Sequence, residues 1–164
     1  MPRTRQLPSR AELATWRDFL ETTEALRAVL AARLQAECGL SMGDYSVLLA
    51  LDEAEGHRLR SSELAAHIGW ERSRLSHHLG RMEKRGLIRR EECLTDNRGA
   101  EAVLEPAGAE AFHAATVPHL RAVRELFVDA LSPAQLAAAG EIAVALRQHL
   151  DRSGDQPVVN LQPG

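Results

Sequence analysis

Three features predict a mainly helical α+β chain. Apolar residues recur every three or four positions through most of its 164 residues. Between 87 and 104 that period gives way to two short extended runs around a polar turn. Just before them, two short helical segments are joined by only a few residues.

Residues 1–9 are proline-bearing and basic, and read as a flexible arm. Ser9 and Glu12 form a Ser-x-x-Glu capping box. Leu13, Trp16, Phe19, Leu20, Leu26, Val29, Leu30 and Leu34 follow at helical spacing, so a long amphipathic helix covers about 10–37. Gly39 stops it. Ser41 and Asp44 make a second cap, ahead of Tyr45, Leu48, Leu49 and Leu51 on a helix ending near Gly56. Ser61 or Ser62 caps the next helix, which turns Leu64, Ala65 and Ile68 inward and ends at Gly69. A tight turn at 70–73 leads into a helix from Arg72 to Arg85 with the stripe Leu75, Leu79 and Met82. His78 falls inside that stripe and reads as a half-buried packing residue.

Residues 87–91 and 100–104 read as strands, with a turn by composition at 95–99. Pro106 opens an alanine-rich helix to about residue 130, which Pro118 should kink or interrupt. Ser132-Pro133 starts the last helix, 133–150. The tail 151–164 reads as flexible. The elements add up to a winged helix-turn-helix core at 40–105, with a two-stranded wing, flanked by long helices at 10–38 and 106–150.

Composition excludes several classes. Hydrophobic residues are 45% and charged residues 26%, ordinary for a globular chain. No run approaches the roughly 18 apolar residues of a membrane span, and MPRTRQLPSR lacks the apolar stretch of a secretory signal. With only Cys38 and Cys93, the expectation is a cytoplasmic chain with reduced thiols. Overall net charge is −3, yet residues 58–98 hold ten Lys/Arg against six Asp/Glu. A basic centre between acidic flanks points to one surface that meets a polyanion.

Double-stranded DNA is the expected partner. A helix fills the major groove, and arginine bonds guanine in bidentate fashion. With Leu75, Leu79 and Met82 turned inward, the other face of helix 72–85 offers Arg72, Ser73, Arg74, Ser76, His77 and Arg81. Ser76 and Gly80 are small enough to allow close approach. Ser61 and Ser62 open a helix whose N–H groups can meet phosphate. At the hairpin tip, Arg98 is placed to enter a narrow minor groove, with Asp96 holding the turn.

The stretch RLSHHLGRMEKRGLIRRE, the D-x-R-G of 96–99 and the LEPAG of 104–108 resemble the multiple antibiotic resistance regulator (MarR) family. The resemblance covers nearly all of 10–150. It implies a homodimer built from the flanking helices, two winged domains reading a pseudo-palindromic operator, and a small-molecule effector bound between winged core and dimerisation helices. Trp16, Phe19 and Tyr45 are candidates to line that pocket, beside a simpler reading as core. The wing departs from the family's usual Asp-Pro and Arg-Arg pattern, with Gly99 after the arginine and Glu91-Glu92 before the turn.

The expected function is a ligand-released repressor that needs no cofactor. The alternatives are a redox-sensing regulator using Cys38 or Cys93, and a winged helix that binds protein rather than DNA. Glu37 beside Cys38, and the two glutamates before Cys93, disfavour reactive thiolates. The seven histidines show no metal-ligand spacing. No Gly-rich phosphate loop or G-x-S-x-G elbow supports an enzyme.

Overall fold

The computed structural model describes residues 7–92 and 100–153. Helix α1 (Arg10–Cys38) starts at the Ser9–Glu12 capping box and ends at Gly39, whose φ of 68° closes the helix in the left-handed region. Helix α2 (Met42–Glu53) starts at the reciprocal Ser41–Asp44 box. A single 3₁₀ turn, Glu55–His57, leads into β1 (Arg58–Arg60). Then come α3 (Ser61–Ile68), α4 (Arg72–Lys84), β2 (Ile88–Glu92), β3 (Ala100–Leu104), α5 (Pro106–Val123) and α6 (Pro133–Ser153).

The strands form one antiparallel sheet in the order β1-β3-β2. Leu59 faces Ala102 across β1 and β3, and Arg90 faces the same Ala102 from β2. The sheet and helices close over one core of Leu34, Leu40, Val47, Leu48, Leu51, Leu64, Leu75, Leu79, Met82, Ile88, Leu104 and Phe112. Each such fully buried aliphatic side chain contributes about 1.5–3 kcal/mol relative to exposure. Helix α5 enters this core through Gly108, whose absent side chain lets the helix rest on the Leu87 carbonyl; an added Cβ would lie 2.0 Å from that oxygen.

Four expectations change. The sheet has three strands rather than two: the 58–60 segment is too short and too charged to show alternation, but it pairs with β3 along its full length. The residue capping α3 is Arg60 rather than Ser61 or Ser62. The Ser61 hydroxyl instead donates 2.7 Å to the Ala100 carbonyl, tying α3 to the root of the wing. Pro118 does not interrupt α5. The irregularity comes at a wide π turn, Arg124–Val128, beyond the proline. The last helix runs through Ser153, three residues further than expected. The arm at 1–6, the wing tip at 93–99 and the tail from 154 lie outside the described residues.

Helix α6 differs from the rest. None of residues 133–152 is buried, and Ile142, Val144, Leu146 and Leu150 are exposed. On α1, Leu13, Trp16, Phe19 and Leu20 are exposed as well. No helix among the described residues is long and apolar enough to cross a membrane.

Candidate nucleic-acid interface

Helices α3 and α4 are joined by residues 69–71, with Gly69 in the left-handed conformation (φ 69°) that lets the chain turn back sharply. Leu75, His78, Leu79 and Met82 anchor α4 in the core. Their burial turns Arg72, Ser73, Arg74, Ser76, His77 and Arg81 outward, and all six are exposed. Ser62 is exposed on α3, whereas Ser61 is partly covered where it holds Ala100. Asp96 and Arg98 lie outside the described residues.

The basic central segment divides into two groups. At the wing root, Arg58 reaches Glu91 and Glu101 (both 3.4 Å), and Arg89 bridges Glu91 and Glu105. Arg90 binds Glu83 at 2.7 Å, holding that carboxyl below its ordinary range. Arg85 binds Asp44. These arginines are neutralised within the chain. Among the described residues, Arg72, Arg74, Arg81 and Lys84 carry no ion pair, and all four sit on α4. Arg60, at the end of β1, has none either, so among the described residues of this segment the uncompensated positive charge lies mostly on one helix. Net charge over the segment showed the excess but not this division.

Two contacts behind α4 escaped the sequence reading. His78 is a buried polar hub rather than a packing residue. Its Nε2 lies 3.0 Å from Asp44 Oδ1, in an off-axis approach, and its Nδ1 lies 2.8 Å from Arg81 Nη2. Arginine can only donate, so Nδ1 accepts and the ring proton faces Asp44. Trp70 meets the His78 ring edge-on at 5.1 Å. It also makes a cation–π stack, with the Arg74 guanidinium carbon 4.2 Å from the ring centre. Gly43 completes the seat: a Cβ there would come within 2.7 Å of Trp70 and 3.0 Å of His78. The Ser-x-x-Asp cap at 41–44 was visible in the sequence, but a second role for its aspartate was not.

The candidate pocket residues do not form one group within a single chain. Tyr45 is buried, with Phe112 at 5.2 Å and His119 at 4.7 Å between ring centres. Burial lowers the pKa of His119, favouring the neutral ring. Trp16 and Phe19 are 60% and 46% exposed, so neither is core in the single chain. Trp16 instead lines an open crevice with Leu7, Pro8, Glu12 and Leu13. Cys38 is half-buried; burial first, and Glu37 second, push its thiol pKa up. Cys93 lies outside the described residues.

A helix-turn-helix whose second helix carries the unpaired cations, backed by a small antiparallel sheet, defines a DNA-binding winged-helix protein. Residues 39–99 match the MarR family. The chain is 38% identical to AbsC, a MarR family transcriptional regulator from Streptomyces coelicolor; 89% of this chain and 98% of AbsC superpose with a TM-score of 0.80. It is 35% identical to Sco3205, a MarR family transcriptional regulator from the same organism crystallised in complex with DNA. There 90% of this chain and 92% of Sco3205 are covered, with a TM-score of 0.82. The transcriptional repressor MprA of Escherichia coli (strain K12) is 27% identical over 121 residues, which span 74% of this chain and 68% of MprA. The chain belongs to the MarR family of DNA-binding transcriptional regulators and is not an enzyme.

Proposed function

We propose that this regulator is a homodimeric repressor that leaves a pseudo-palindromic operator when a small molecule binds. The observation that carries the DNA-reading part is the concentration of unpaired cations on the outward face of α4. In this reading Arg74 and Arg81 meet base edges or phosphate in the major groove, with Arg72, Ser73, Ser76 and His77 beside them. The α3 start at Ser61 and Ser62 lies along a phosphate, and Arg98, set by Asp96, enters the minor groove. MprA, named a repressor, supports the sign of regulation. Sco3205, crystallised with DNA, supports the mode of engagement.

The dimer rests on α1 and α6. A long helix with no buried residue over 133–152 has little reason to remain folded alone in water. The exposed apolar side chains of α6 and of the first half of α1 give a second copy of the chain a surface to cover. An effector acts on such a dimer only through different affinities for two spacings of the recognition helices. Tyr45, Phe112 and His119, packed where α2 meets α5, form the inner wall of the effector site in this reading. Trp16 and Phe19 complete it from the dimerisation side.

The test is fluorescence anisotropy on a labelled duplex from upstream of the protein's own gene, against a shuffled duplex, at two salt concentrations. Selective binding with a steep negative salt slope is expected. Equal, weak and salt-insensitive binding to both duplexes, together with failure of the wild-type chain to enrich any sequence from a random duplex pool, would refute the reading. The protein-binding winged helix would then take its place.

A further inference from the structure

Arg81 stands on the outward face of α4, but its guanidinium is not left to choose its own direction. Nη2 donates 2.8 Å to His78 Nδ1. His78 is itself held on three sides. Asp44 Oδ1 lies 3.0 Å from Nε2, Trp70 meets the ring edge-on, and Gly43 sits so close that no side chain would fit between. Asp44 in turn is fixed by the Ser41 backbone N–H at 2.9 Å and by Arg85 at 2.7 Å. The chain of contacts runs from the capped first turn of α2, through a buried imidazole, to an exposed arginine on the recognition helix.

A free arginine side chain loses about 2 kcal/mol of rotamer entropy when it is ordered on a target. One already directed by a fixed acceptor loses less on binding, and it also rejects targets that need a different direction. A buried imidazole is a costly way to fill space among leucines, since its polar atoms require partners. Here one ring nitrogen faces Asp44, and the other accepts from the outward-facing Arg81.

We propose that His78, held by Asp44, is a positioning residue for DNA readout, which sets the direction of Arg81 and thereby the selectivity of the protein for its operator. The inference rests on the reading of Arg81 as a DNA contact. It assigns to two residues that cannot touch DNA a share of the sequence preference.

The test is a double-mutant cycle on the full chain. The probe is the tightest duplex that the wild-type protein selects from a random pool, with a scrambled duplex of the same composition for comparison. H78L is expected to weaken binding to the selected duplex about five- to tenfold, the scale of one lost base contact, and to leave the scrambled duplex within about twofold. H78Q, whose amide can donate to Asp44 and accept from Arg81, is expected to restore most of the selectivity. In an R81A background, H78L should add less than about a twofold further change. If H78L loses its cooperative melt, H78F keeps the ring volume and the edge-on contact with Trp70, and takes its place in the cycle.

An equal loss from H78L in the wild-type and R81A backgrounds would show a merely structural role and overturn the proposal. So would wild-type selectivity in both H78L and H78F. Wild-type binding by R81A would overturn the reading of Arg81 as a DNA contact, and the positioning role with it. A loss in R81A without one in H78L would leave that reading standing and remove only the role of His78.

Discussion

Arg85 Nη1 lies 2.7 Å from Asp44 Oδ2, and Nη2 donates to the Gly39 carbonyl at 3.0 Å, so one guanidinium ties the end of α4 to the start of α2. Burial alone would raise the Asp44 pKa. The close His78 imidazole and the hydrogen bonds from Arg85 and Ser41 outweigh it and hold the carboxyl well below the usual carboxylate range.

The consequence has a definite sign. A carboxyl whose pKa is lower in the folded state contributes stability that is fully present above its unfolded pKa. That contribution is lost as pH falls through the folded value. Asp44→Asn is expected to cost about 2–4 kcal/mol at neutral pH, because it leaves a buried site with one charge removed. The gap between wild type and variant should stay constant above about pH 5 and narrow as pH falls below the ordinary carboxylate value of 3.8. Urea unfolding at a series of pH values checks this. A gap that widens in acid would contradict the assignment.

Gly108→Ala tests the joint between α5 and the sheet. The new methyl carbon would stand 2.0 Å from the Leu87 carbonyl oxygen, an atom fixed by its bond from the Glu105 N–H. The helix must shift, and the expected cost is about 1–3 kcal/mol or somewhat more. Thermal unfolding should show a drop of several degrees. An unchanged melting temperature would mean that α5 slides freely on the sheet.

Leu146→Glu tests the proposed dimer without disturbing the core. Leu146 is 51% exposed in the single chain, so a charge there has little effect on one folded protomer. Buried between two copies, two such charges face an apolar interface and carry an unpaired desolvation cost of several kcal/mol. Sedimentation at micromolar concentration should show a shift from dimer to monomer, with operator binding weakened by the loss of the second half-site. Deleting residues 1–37 should also abolish the dimer, although it removes the core residue Leu34 as well. A stable dimer in L146E would place the interface elsewhere.

The order of helices, both capping boxes and the outward face of α4 were legible because each rests on local periodicity or on a fixed four-residue spacing. Strand β1 was not: three residues reading Arg-Leu-Arg become a strand only because β3 stands beside them. The role of Asp44 was half legible. Its cap is a contact three residues away in sequence, whereas His78 and Arg85 lie 34 and 41 positions further along the chain. The same distance rule explains the charge segment. Summing Lys and Arg over 58–98 found the excess, but only the fold shows that Arg58, Arg85, Arg89 and Arg90 are bound internally while the cations of α4 remain unpaired among the described residues.

Cys38 allows a direct test of the redox alternative. The thiolate is the reactive form. Burial and the neighbouring Glu37 raise the Cys38 pKa, so the neutral thiol dominates at physiological pH. Alkylation of Cys38 by iodoacetamide at pH 7 should therefore run slower than that of a free cysteine, and should accelerate with pH beyond the ordinary thiol value of 9.0. Peptide mapping by mass spectrometry separates its rate from that of Cys93. Cys38→Ser should leave operator binding unchanged, and dilute peroxide should leave the Cys38 thiol unoxidised. Rapid labelling at pH 7, together with peroxide-dependent release of DNA that C38S abolishes, would make oxidation of this thiol the signal in place of a small-molecule effector.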